Sequence, residues 1–91
     1  MPASSERAIA LPPDVDLHAR PAADFVRTAM GFASAIVVAT PAGEADAKSL
    51  LSVLALGAKA GSELVLRADG PDADDALSAL AGCVADFREA A

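Results

Sequence analysis

The chain has 91 residues and a formal net charge of −6, from 7 Lys and Arg against 13 Asp and Glu. This length fits one domain and leaves no room for a deeply enclosed active site, because such a domain buries only about 60–65% of the surface its unfolded chain exposes. The acidic balance, with Phe25, Phe32 and Phe87 as the only aromatics, argues against nucleic acid and anionic membranes as partners, which need a basic field or stacking platforms.

The opening residues, Met1 to Arg7, are polar and lack the apolar stretch of a signal peptide, so a cytoplasmic protein is expected. Arg7-Ala8-Ile9-Ala10-Leu11 reads as a short strand ended by Pro12-Pro13. Residues 19–30 read as a helix. Ala22, Phe25, Val26, Ala29 and Met30 recur at helical spacing, Pro21 sits in the first turn where its missing N–H costs nothing, and Gly31 stands at the C-cap. Residues 33–40 read as a strand. Its apolar run Ala35-Ile36-Val37-Val38-Ala39 is far too short to span a membrane. Pro41-Ala42-Gly43 turns the chain into a return strand at 44–47, and residues 48–56 form a short helix stopped by Gly57. In residues 62–68, Leu64, Leu66 and Ala68 alternate onto one face, the mark of a strand. Gly70-Pro71-Asp72 opens a last helix with Leu77, Leu80, Val84 and Phe87 as its apolar stripe, and Asp72, Asp74 and Asp75 suit its dipole. Cys83, the only cysteine, excludes an internal disulfide and a multi-cysteine metal site, and reads as a small apolar residue. The order β-α-β-β-α-β-α fits an α+β open-faced sandwich: a four-stranded antiparallel sheet with three helices on one face.

Chemistry concentrates in Asp16-Leu17-His18-Ala19-Arg20-Pro21-Ala22-Ala23. His18 is the only histidine and immediately precedes a helix, whose unpaired N–H groups and dipole make an anion site. Arg20 can reach the same site with its fork of donors. On position alone, the histidine also reads as an ordinary helix cap and the arginine as a solvated charge. The helix near residue 50 is a second candidate. At about 100° per residue from Leu50, Leu54 falls near 40°, Leu51 near 100°, Val53 near 300° and Leu56 near 240°, an apolar arc of roughly 220°. Val53 and Leu56 can face the core, but Leu50, Leu51 and Leu54 cannot all join them. Either the helix is unusually buried or the leucines form a docking patch. Arg20, Arg27 and Lys48 would then rim it for an acidic partner. Ser49, at the start of this helix, reads as a cap.

The string Leu-His-Ala-Arg-Pro-Ala, early in a chain of this length and element order, resembles the active-site motif of the HPr family, the histidine-containing phosphocarriers of the bacterial phosphotransferase system. A second block, Ala47-Lys48-Ser49-Leu50-Leu51-Ser52-Val53-Leu54-Ala55-Leu56-Gly57, is similar to the family's regulatory-serine helix, and the resemblance covers nearly the whole chain. It implies that His18 takes the phosphoryl group on Nδ1, that Arg20 helps hold it, and that Ser49 is the serine a regulatory kinase modifies in some bacteria. Partners would dock on the Ser49 helix beside the histidine. Enzyme I would donate and an EIIA protein or domain would receive, in service of sugar uptake. The chain would be a carrier and a monomer, with no cofactor, and not a stand-alone enzyme. One departure stands out: the family usually has Gly two residues before the histidine, where this chain has Asp16, a change expected to alter the loop and to repel a phosphoryl group. Rival readings are a carrier of the same fold in a nitrogen-regulatory or dihydroxyacetone-kinase branch, and a non-catalytic interaction domain.

Overall fold

The computed structural model describes residues 4–87, so residues 1–3 of the polar N-terminal segment and residues 88–91 lie outside it. Its elements run β1 (Ser4–Ala10), α1 (Ala19–Met30), β2 (Ala35–Thr40), β3 (Gly43–Asp46), α2 (Leu50–Ala55), β4 (Glu63–Asp69) and α3 (Ala73–Ala85). The strands form one sheet in the order β1-β4-β2-β3 with every neighbouring pair antiparallel. This is the expected α+β open-faced sandwich.

Side-chain alternation decides which face of the sheet is covered. In β4, Leu64, Leu66 and Ala68 are buried while Glu63, Arg67 and Asp69 point to solvent; in β2, Ile36 and Val38 are buried beside them. The helices close over this inner face. α1 buries Pro21, Ala22, Phe25, Val26 and Ala29, and α3 buries Ala73, Ala76, Leu77, Leu80 and Val84, with Phe87 buried just past its end. α1 packs against both α2 and α3. Phe25 is fully buried, so truncating it to Ala would cost about 3–5 kcal/mol.

Several boundaries differ from the sequence reading for identifiable reasons. β1 begins at Ser4, three residues earlier than expected, because pairing with β4 from Ser4↔Asp69 onward makes the strand without needing an apolar pattern. β2 begins at Ala35 and not at 33, because the Ala33 and Ser34 N–H groups are bonded to the Asp72 carboxylate at 2.8 and 2.9 Å. Ser34 Oγ donates to the same carboxylate at 2.5 Å. Asp72 therefore makes no side-chain cap on its own helix but clasps the β2 approach to the start of α3. Gly70 belongs to this junction: its φ is +152°, and an added Cβ would lie 2.6 Å from Ser34 Oγ and 2.7 Å from Ser34 Cα. Met30, expected within the buried stripe of α1, is 65% exposed at the last turn of the helix.

Candidate functional site

Residues 15–18 leave the core by alternation: Val15 and Leu17 are buried, Asp16 and His18 exposed. Backbone bonds stitch the 12–18 loop to the 58–62 loop. The Leu17 N–H donates to Ala58 O at 3.0 Å, Gly61 N–H to Pro12 O at 2.9 Å, and Leu11 N–H to Ser62 O at 2.9 Å. His18 holds the N-cap position of α1 in extended backbone, φ −100° and ψ −167°, yet its imidazole makes no capping hydrogen bond. The histidine is thus an exposed surface ring at the N-cap position, with no side-chain capping bond.

The first helical bond runs from Ala22 N–H to His18 O at 2.8 Å. The N–H groups of Ala19 and Arg20 precede it and have no acceptor among the described residues, while Pro21 has no N–H to leave unpaired. Two donors and a positive dipole end therefore follow His18 directly in the chain, at the helix start it occupies. Arg20 is exposed, and its guanidinium makes no ion pair or hydrogen bond among the described residues, so it is free to meet an anion. An imidazole nitrogen, two N–H groups and a mobile fork of donors can together accept and shield a phosphoryl group.

Asp16 does not strain the loop: no described residue other than glycine has positive φ. Its Oδ1 accepts the Ala60 N–H at 2.6 Å, so the carboxylate is engaged by the neighbouring loop.

The partner-surface residues separate more than the sequence suggested. Ser49 is the N-cap of α2, its Oγ accepting the Ser52 N–H at 3.3 Å and lying 3.0 Å from Ser52 Oγ. Leu51 is 81% exposed and Leu50 39%, whereas Val53 is fully buried. Leu51 lies about 160° around the helix from Val53, which accounts for the contrast. Leu54, expected on the exposed side, is half-buried against the core, so the bare patch is narrower than the helical wheel implied. Leu50, Leu51 and Met30 are the large apolar side chains exposed among the described residues. Met30 was missed because its position in the α1 pattern matches the core stripe.

The expected basic rim is not one feature. Lys48 Nζ donates to Phe32 O at 2.7 Å, so its ammonium ties the end of α1 to the start of α2 and does not stand free. Arg20 and Arg27 both line a shallow groove on the other side of α1, shared with Cys83 of α3. Arg27 is paired with Asp24 at 3.2 Å, both side chains being mostly exposed, an arrangement worth little energy. Burial pushes the half-buried Cys83 thiol upward, with Asp24 and Asp86 adding to the effect.

An open-faced sandwich with an exposed histidine at the start of its first helix defines a class: small carrier proteins that hold a phosphoryl group on a surface imidazole. Comparison with known proteins agrees. Residues 5–86 match the family model described as the PTS HPr component phosphorylation site. The chain is 48% identical over 65 residues to the phosphocarrier protein HPr of Lysinibacillus sphaericus, covering 71% of this chain and 74% of that protein. It is 45% identical over 74 residues to the HPr of Streptomyces coelicolor, covering 80% of each. The crystal structure of HPr from Bacillus anthracis superposes with a TM-score of 0.85 at 33% identity, covering 90% of this chain and 98% of that one. The chain belongs to the HPr family. It is a phosphoryl carrier that works with components of the phosphotransferase system, and not an enzyme. No helix among the described residues is long and apolar enough to cross a membrane.

Proposed function

We propose that the chain accepts a phosphoryl group on Nδ1 of His18 from phosphorylated enzyme I and delivers it to an EIIA protein or domain for sugar uptake. The observation that carries this reading is the exposed, uncapped imidazole of His18 beside the unpaired N–H groups of Ala19 and Arg20. On transfer, the donor's bond to phosphorus breaks as the Nδ1–P bond forms, and the incoming oxygens meet the two N–H groups and the Arg20 guanidinium. Delivery reverses the step and returns the imidazole. Exposure suits this exchange, because donor and acceptor must each approach the same nitrogen. A site of two N–H groups and one mobile arginine holds the group without sequestering it, as a carrier requires.

Leu50 and Leu51 supply the apolar part of the docking surface, and Leu54 supports them from a half-buried position. Arg20 contributes positive charge at the histidine for an acidic partner, Arg27 stands apart from the leucines and is paired with Asp24, and Lys48 shapes the junction between α1 and α2. Ser49 is the residue at which a serine kinase would act. The protein works as a monomer in the cytoplasm.

Incubation with enzyme I and phosphoenolpyruvate tests the reading. An acid-labile phosphate should appear on the wild-type chain and be absent from a folded His18→Ala variant. Full labelling of that variant would overturn the assignment, and no labelling of the wild type would favour a non-catalytic interaction domain.

A further inference from the structure

We propose that Asp16 is a positioning residue for phosphoryl transfer, its carboxylate bonded to the Ala60 N–H fixing the short segment that aims His18. The inference rests on the reading of His18 as the phosphoryl acceptor. No hydrogen bond of the imidazole holds the ring among the described residues, so its placement must come from the backbone that carries it. That backbone has four anchors around residues 16–18, one of them the helical bond from Ala22 N–H to His18 O at 2.8 Å. The Leu17 N–H donates to Ala58 O at 3.0 Å, the His18 N–H donates to Asp16 O at 2.9 Å, and Asp16 Oδ1 accepts the Ala60 N–H at 2.6 Å. Only the last depends on a side chain, and it is short and charge-assisted, the stronger kind of hydrogen bond.

The loop on the far side of this bond is tied to residues 11–17 by backbone bonds at Ala58, Gly61 and Ser62, and Asp16 adds the tie at Ala60 between them. It is bounded by Gly57 and Gly61 at φ +60° and +78°, residues with wide backbone freedom. The Asp16 side chain thus joins this loop to the backbone leading into Leu17, whose buried side chain is the pivot next to His18. Transfer to phosphorus demands near in-line approach of one ring nitrogen, so looseness in this segment slows chemistry even when a partner is docked.

The test measures phosphoryl transfer from phosphorylated enzyme I to the full chain across carrier concentrations, alongside thermal unfolding. Asp16→Ala should lower the saturating rate about three- to tenfold while changing KM less than about twofold. Asp16→Asn, whose amide oxygen can accept the same N–H, should restore most of that rate, and the Ala60 amide resonance should shift in the Ala variant but much less in the Asn variant. A wild-type rate in folded Asp16→Ala, or an Asn variant as slow as the Ala variant, overturns the proposal. If Asp16→Ala does not fold, Asp16→Ser decides: its shorter side chain should give the same slow, KM-neutral transfer, and a wild-type rate there is equally fatal. Failure of the wild-type chain to be labelled on His18 would instead strike at the reading of the acceptor itself.

Discussion

Leu51 is the sharpest probe of the docking surface, because its exposure separates binding from stability. The side chain is 81% exposed, so about a fifth of its surface is buried in the free protein. Full burial of a leucine is worth about 1.5–3 kcal/mol, so Leu51→Ala should cost only about 0.3–0.6 kcal/mol. For a domain of this size that is a fall in melting temperature of about 1–5 °C. Val53, one helical step away and fully buried, is the internal control: Val53→Ala removes two buried methyl groups' worth of packing and should cost about 1.5–3 kcal/mol. In the complex the order reverses. If Leu51 is an anchor of the interface, its truncation should cost at least about 1 kcal/mol of binding, about a fivefold rise in Kd. Denaturant unfolding of both variants, with titration calorimetry against enzyme I, gives all four numbers. Leu51→Ala with a stability loss above about 2 kcal/mol and unchanged affinity would refute the reasoning.

Arg20→Ala should slow transfer to His18 while leaving the melting temperature almost unchanged, since the guanidinium is exposed and makes no contact that the fold needs; unfolding with full activity of the folded fraction would make Arg20 structural. Ser49→Asp keeps an N-cap acceptor for the Ser52 N–H, so stability should hold, but it puts charge beside Leu50 and Leu51 and should weaken phosphorylation in a way that raised enzyme I concentration largely restores. Gly70→Ala should destabilise by at least about 2–3 kcal/mol, read by denaturant unfolding, because φ is +152° and the new Cβ would strike Ser34 backbone at 2.7 Å. The Ser34 hydroxyl, then the Ala33 N–H, hold the Asp72 carboxyl below its ordinary value of 3.8. Its contribution to stability is therefore complete above about pH 4 and lost as the pH falls through the lowered folded value, so the gap between wild type and Asp72→Asn should narrow on acidification.

Period and punctuation made much of this legible. The α1 bounds, Ala19–Met30, coincide with the reading from Pro21 and the apolar spacing, and the alternation of Leu64, Leu66 and Ala68 gave both the strand and its buried face. Interactions that are not periodic stayed hidden. The clasp between Asp72 and Ser34 spans 38 positions, and the bond from Ala60 to Asp16 spans 44. Neither leaves a local pattern, because a carboxylate near a turn reads equally well as a cap or as a solvated charge. Lys48 illustrates the same limit: its charge was visible, but its Phe32 carbonyl partner is fixed by how α1 ends against α2. Met30 shows the converse, since a pattern on a helix cannot tell where along its length the protein stops covering it.

The pairing of β1 with β4 carries a consequence for biosynthesis. Among the described residues, Ser4–Ala10 finds its only ladder partner in Asp69–Glu63, and the loop that carries His18 is stitched to residues 58–62. The segment before the histidine therefore gains its cross-chain bonds only once residues 58–69 are available to pair with it. Such long sequence separation makes folding slower than that of a helical bundle, whose contacts are mostly local. A fragment that keeps the motif but lacks residues 58–69 would lose the bonds of Leu11 and Leu17 that tie the segment before α1 in place, so the histidine would sit on a helix start with no anchored approach.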